Sequence, residues 1–169
     1  LNAPVLTSSP ATYTTWFKTT GNGVLLGAQA ASGAGHFPAI YIGTDGKLRT
    51  QLFYTGGSTF NQVVTPSAVN DGQWHFLAVA WNGLQQTVYL DGQTVGSSTL
   101  TYRANNYYYF GAGYTSNAPW PAVGSGWFYY NGLMDETIVY STALTPTEVF
   151  NENAALAGVT DAPGRLPLG

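Results

Sequence analysis

The sequence predicts an all-β domain, a two-sheet antiparallel jelly-roll sandwich with one short C-terminal helix. Three observations lead there. Apolar residues fall into about a dozen short runs rich in aromatic and β-branched side chains, some of them alternating with polar ones. Turn signals built from Gly, Asn, Asp and Pro recur every ~8–12 residues. No strand–helix–strand alternation, which would build a parallel sheet, occurs. That many strands in 169 residues suits two stacked sheets.

The longest signal is Asn70–Gly96, read as two strands with a turn at each end and one between. Asn70-Asp71-Gly72, Asn82-Gly83 and Asp91-Gly92 supply the turns, because Asn, Asp and Gly tolerate positive φ. Gln73–Trp81 and Gln85–Leu90 are the strands. Before them, Val5 and Leu6 suggest a short edge strand. Thr12–Lys18 alternates, with Tyr13, Thr15 and Phe17 on one face and Thr14, Trp16 and Lys18 on the other. Val24–Gln29 is the next strand and Ala30–Gly35 a loop of small residues. Phe37–Gly43 and Lys47–Tyr54 form a hairpin over Thr44-Asp45-Gly46, followed by Thr59–Thr65. After the central hairpin, Tyr107–Gly113 is an aromatic strand, Tyr114–Ser125 a long loop and Gly132–Ser141 a late strand. Thr145-Pro146-Thr147-Glu148 is a capping box with proline in the first turn. Its helix is expected to reach about Leu156 and stop at Gly158. Residues 1–160 then form one domain, and 161–169 a linker or tail.

Composition excludes several function classes. Charged residues are 8% of the chain, against roughly 25% in typical soluble proteins. Hydrophobic residues are 44%, enough for a core, so disorder is not expected. Five Lys and Arg in all and a net charge of −3 give a nucleic-acid surface or an anionic membrane almost nothing to bind. No apolar run approaches the ~20 residues of a membrane span. Cysteine is absent, which a domain of this size tolerates. The first residue is not Met and no signal peptide precedes the domain, so the chain reads as a module of a longer protein. The lack of a glycosylation sequon points weakly to a bacterial source.

Three segments in order, YTTWFKTTGNGVLLG, DGQWHFLAVAW…VYLDGQ and NGLMDETIVYSTALTPTEV, resemble the laminin-G-like modules of the concanavalin A-like lectin/glucanase superfamily. The resemblance runs from about Tyr13 to Phe150. It implies two packed, curved antiparallel sheets in an extracellular or cell-surface module that binds carbohydrate or protein, often beside an enzyme or within an adhesin. It also implies core positions for Trp16, Trp74 and Phe76. Many members carry one calcium ion, and Asp135, in the segment's Gly-x-Met-Asp-Glu, is the residue this would place as a metal ligand. The alternative for Asp135 is a carboxylate that pairs with backbone amides or an Arg.

Catalysis is tested by the carboxylates. A retaining glycosidase needs two of them ~5–5.5 Å apart. The Glu-x-Asp-x-x-Glu pattern of the superfamily's glucanases does not occur. Asp135 and Glu136 are neighbours, and on a strand they point to opposite faces. His75 lies within the central strand and reads as a packed histidine; His36 stands at a loop–strand junction beside Phe37. No acidic residue or nucleophile is tied to either by a pattern, and no phosphate loop or zinc spacing occurs. The chain is therefore expected not to be an enzyme.

The aromatic excess carries the ligand expectation. Residues 102–130 hold Tyr102, Tyr107, Tyr108, Tyr109, Phe110, Tyr114, Trp120, Trp127, Phe128, Tyr129 and Tyr130. Prolines flank Trp120, and on one reading they hold its indole out towards solvent. On the other, the loop folds back and buries its own aromatics. Rings stack on sugar C–H faces, and Asn and Tyr can hydrogen-bond sugar hydroxyls. Tyr114, Asn117, Trp120, Trp127 and Tyr129 are the candidate ligand contacts of a carbohydrate-binding or recognition module. The alternative is an adhesion or spacer domain whose rings meet protein, since Tyr and Trp are enriched in such interfaces.

Overall fold

Strand β1 (Ala11–Lys18) turns Tyr13 and Phe17 to one side and Trp16 to the other, as its alternation requires. The computed structural model describes residues 6–30, 35–54, 60–115 and 120–160, the last five as backbone alone. The other strands among them are β2 (Gly23–Gln29), β3 (His36–Ile42), β4 (Leu48–Thr50), β5 (Val63–Val64), β6 (Trp74–Trp81), β7 (Gln85–Leu90), β8 (Gln93–Thr99), β9 (Tyr107–Phe110), β10 (Ala112–Thr115), β11 (Gly126–Tyr129) and β12 (Leu133–Tyr140). One helix follows, α1 (Pro146–Thr160). The first sheet runs β12-β1-β6-β7-β8; the second runs β10-β11-β2-β3-β4-β5, with β9 also on β2. The pairing is antiparallel except for one bridge, Tyr129 to Val24. This is the two-sheet all-β sandwich that the sequence predicts.

Tyr13, Phe17, Leu77, Val79 and Trp81 of the first sheet join Leu26, Ile40, Ile42, Leu48 and Phe53 in one buried cluster. Trp81 meets Phe53 edge-on at 4.9 Å. The other face of the first sheet carries Trp16, Phe76, Ala78, Ala80 and Tyr89, and Val149 of α1 packs against it. The capping box forms as expected. The Thr145 N–H donates to Glu148 Oε2 at 2.7 Å, and the Glu148 N–H donates to Thr145 Oγ1 at 3.3 Å. The helix passes through Gly158 instead of stopping there, since one interior glycine costs a helix only about 1 kcal/mol.

Every residue of β2 is buried, and all of β3 except His36. One face of these strands meets the first sheet, so something else covers the second. The cover is the chain leaving β9. Gly111, at φ 71°, breaks the expected strand Tyr107–Gly113 in two, and β10 then crosses β2. A Cβ on Gly27 would collide with the Ala112 carbonyl oxygen and lie 2.8 Å from Gly113 Cα. Beyond β10 the cover is tied down at Pro121, whose carbonyl accepts from the Tyr41 hydroxyl at 3.0 Å. The Ala122 carbonyl accepts from the Thr44 N–H at 2.8 Å. β11 then returns antiparallel to β10. Residues 112–115 and 120–129 thus make a further layer on the sandwich.

Other expectations need adjustment. The second strand of the Thr44–Gly46 hairpin shortens to β4, and Thr59–Thr65 to the two residues of β5; Thr59 itself lies outside the described residues. Leu6 is buried without joining a sheet, and Val5 and 161–169 also lie outside. β8 and β11 are strands that the sequence reading did not assign.

His75 also acquires acidic partners that no pattern had tied to it. Its Nδ1 lies 2.8 Å from Asp91 Oδ2, and its Nε2 3.2 Å from Asp71 Oδ1. Both carboxylates come from the turns that bound the central hairpin. Asp91 above all, helped by Asp71, holds the imidazole above its ordinary value against the opposing effect of burial. The folded chain therefore binds this proton more tightly than the unfolded one. The stabilisation is complete below the ordinary value of 6.5 and is lost as pH rises through the raised one. Tm, followed by thermal denaturation from about pH 6 to about pH 9, should fall by a few degrees. His75→Gln should flatten that slope; an equal slope in the variant would assign it to another group.

Candidate functional site

The cover layer sorts its side chains by strand alternation. Phe128 packs inward against the core, and a Cβ on Gly113 would meet the Val24 side chain. Tyr114, Trp127 and Tyr129 face the other way. Trp127 is 47% exposed and Tyr129 63%. Tyr114 and Trp127 are register partners across β10 and β11, with ring centroids 5.7 Å apart. Three of the five candidate contacts therefore gather on one outward face.

Two residues outside the candidate set complete it. Tyr109 of β9 meets Trp127 at 5.8 Å, and His36 at the start of β3 meets it at 5.7 Å. With Tyr114, three rings stand nearly perpendicular to the indole, at 69° to 76°, an arrangement that aromatic pairs favour. Tyr129 instead stacks beside the indole, with centroids 6.2 Å apart and planes 18° apart. The result is a braced indole with a second, nearly parallel ring beside it. In the sequence, Tyr109 stood only as one ring of the aromatic run at residues 102–130, and His36 only as a histidine at a loop–strand junction beside Phe37.

The site is neutral. Burial alone holds the His36 imidazole below its ordinary value, and its Nδ1 is sealed off without a hydrogen-bond partner. Protonation there would place an unpaired charge among aromatic rings. The Tyr109 hydroxyl donates to Gln29 Oε1 at 2.6 Å. No protein hydrogen bond to the Tyr114 or Tyr129 hydroxyl is found among the described residues.

Trp120 does not belong to this face. It is 3% exposed and stacks on Phe37 at 6.0 Å, with Tyr54 at 4.9 Å and Phe60 at 4.8 Å. The indole turns inward to cover β3, the second of the two readings, and this removes Trp120 from the candidate ligand contacts. Asn117 lies outside the described residues.

Asp135 stands apart, on β12 opposite Trp16. Its carboxylate accepts the Glu136 N–H at 2.8 Å, at a bulge where Glu136 has φ 48°. That is the backbone pairing given above as its alternative role. No group of three His, Asp or Glu side chains able to hold a metal occurs among the described residues. One carboxylate with one oxygen already engaged is a thin start for calcium, which takes six to eight oxygens.

With the geometry in place, comparison decides the family. The chain matches, over residues 1–150, a laminin-G model described as the concanavalin A-like lectin/glucanases superfamily. The chain belongs to this family. Among known structures, domain 4 of AbnA, an extracellular arabinanase from Geobacillus stearothermophilus, in complex with arabinotriose, is 23% identical with a TM-score of 0.59, over 88% of this chain and 69% of that one. The CBM40 of the Ruminococcus gnavus IT-sialidase, bound to α2,3-sialyllactose, is 18% identical with a TM-score of 0.61, over 90% and 84%. A Trypanosoma rangeli sialidase mutant with trans-sialidase activity is 15% identical with a TM-score of 0.63, over 89% of this chain but 23% of its own. At these identities the likeness is one of fold. Comparison with curated proteins finds no match.

The two tryptophans separate by substitution. Trp120→Ala empties a buried aromatic site and should cost about 3–5 kcal/mol, read as a large drop in Tm. Trp127→Ala removes an exposed ring and should leave Tm within a few degrees. Similar losses in both would place Trp127 in the core as well.

Proposed function

We propose that this domain is a non-catalytic carbohydrate-binding module of a larger extracellular, bacterial protein. The observation that carries the reading is the exposed, nearly parallel pair of Trp127 and Tyr129, braced by His36, Tyr109 and Tyr114. Such a pair offers flat apolar area to sugar C–H faces, and the Tyr114 and Tyr129 hydroxyls stand beside it for sugar hydroxyls. Bracing lowers the ordering cost of binding. Family membership and the two glycan-bound neighbours support the same class.

A non-catalytic role is supported by where the carboxylates lie. Asp71 and Asp91 hold opposite nitrogens of His75, Asp45 holds Arg49, and Glu148 caps α1. The aromatic face carries none of them. The second reading, an adhesion or spacer domain, draws on the same exposed rings meeting a protein.

Retention of the purified chain in native gels containing polysaccharides tests the proposal. At least one polysaccharide should slow the wild type, and Trp127→Ala should migrate freely while keeping the wild-type Tm. Equal retention of both proteins would remove the aromatic face from the site. Silence on every glycan would favour the protein-facing role. Calcium at Asp135 is carried as a separate arm: retention that needs calcium and is lost in both a chelator and Asp135→Asn would assign an ion there.

A further inference from the structure

Building on the carbohydrate-binding reading, we propose that the Trp127–Tyr129 face takes an uncharged polysaccharide chain across at least two consecutive sugar units, and excludes acidic sugars. Two features carry this, the distribution of the cations and the spacing of the rings.

An acidic sugar needs a positive partner or a bidentate guanidinium once its carboxylate loses water. The chain has five Lys and Arg. Arg49 is buried beneath the cover layer, and its guanidinium makes two hydrogen bonds to Asp45, at 2.8 and 2.6 Å. Lys47 sits in the turn between β3 and β4. Lys18 ends β1, in the other sheet, opposite Trp74 and Leu133. Arg103 donates to the Tyr54 carbonyl at 3.3 Å, and Arg165 lies outside the described residues. No cation is found against the aromatic face among the described residues. The facing groups around His36 are Tyr109, Tyr114 and Trp127, with no carboxylate and no ammonium. Nothing there compensates a carboxylate, whereas sugar hydroxyls and C–H faces need no compensation.

The spacing sets the length. Trp127 and Tyr129 are two residues apart on one strand, so both rings point outward, with centroids 6.2 Å apart and planes 18° apart. One sugar ring covers one of these rings. At that spacing, filling both takes neighbouring units of one chain, presented to two nearly parallel rings.

The test uses the whole chain in native gels cast with neutral polysaccharides (linear arabinan and mixed-linkage β-glucan) or acidic ones (polygalacturonate and polysialic acid), at low and high salt. Competitors are the free monosaccharide and trisaccharide of the retaining polymer. The expected result is retention by a neutral polymer, unchanged by salt because no ion pair is screened. The trisaccharide should compete at least about tenfold better than the monosaccharide, and Trp127→Ala and Tyr129→Ala should each weaken retention about tenfold or more, the scale of one lost stacking contact. Retention by acidic polymers that fades with salt would overturn the uncharged class and leave the carbohydrate reading standing. Equal competition by the monosaccharide would overturn the two-unit platform. No retention on any polymer would overturn the carbohydrate reading, and this inference with it.

Discussion

Where β10 crosses β2 at Gly27, the two backbones approach so closely that no side chain fits between them. Much of the site depends on this approach. It holds β10 down on the second sheet, seals the outer face of β2 and β3, and aims the alternate residues of β10 and β11 outward. A methyl group at Gly27 would meet backbone, which has no rotamer to yield. The inward side chains, Phe128 and Trp120, join the core, and the outward ones are left for a ligand. Packing below and recognition above are two faces of one hairpin.

The charged groups show the same economy. Asp45 and Arg49 pair bidentately in a tight turn, and the guanidinium holds the Asp45 carboxyl down to about 2. His75 links the two turns that bound the central hairpin through Asp71 and Asp91. In a chain with 8% charged residues, ionic groups fasten turns, and the outward aromatic face is left without formal charge. His36 fits this picture, since burial disfavours its protonated form.

The sandwich, the central hairpin and the capping box were legible because each depends on local chemistry: alternation, turn residues and a cap spaced by three. Tyr114, Trp127 and Tyr129 were legible as candidates from the aromatic excess of their segment. Which face of that excess is buried was not, because alternation assigns residues to two faces without saying which face another layer covers. Trp120 shows this most clearly. Its flanking prolines stiffen the loop whichever way it folds, and the aromatic surface of Phe37, Tyr54 and Phe60 that takes the indole in comes from segments distant in the sequence. His36 was under-read for the same reason, since its ring neighbours come from β9, β10 and β11. The partners of His75 were hidden by a turn chemistry that gives Asp71 and Asp91 an adequate reason to be where they are.

β1 sits between β6 and β12, and its outer partner arrives late: Thr12 pairs Tyr140, and Tyr13 pairs Val139. The hairpin of β6 and β7 closes over a short turn, but β1 must wait for a strand more than a hundred residues downstream. Pairing of this kind, dominated by distant contacts, folds slowly. Until β12 docks, β1 presents a free edge of hydrogen-bonding groups on which another unfinished copy could pair. The kinetic hazard of this domain therefore lies at its first strand, far from the rings that would bind a ligand.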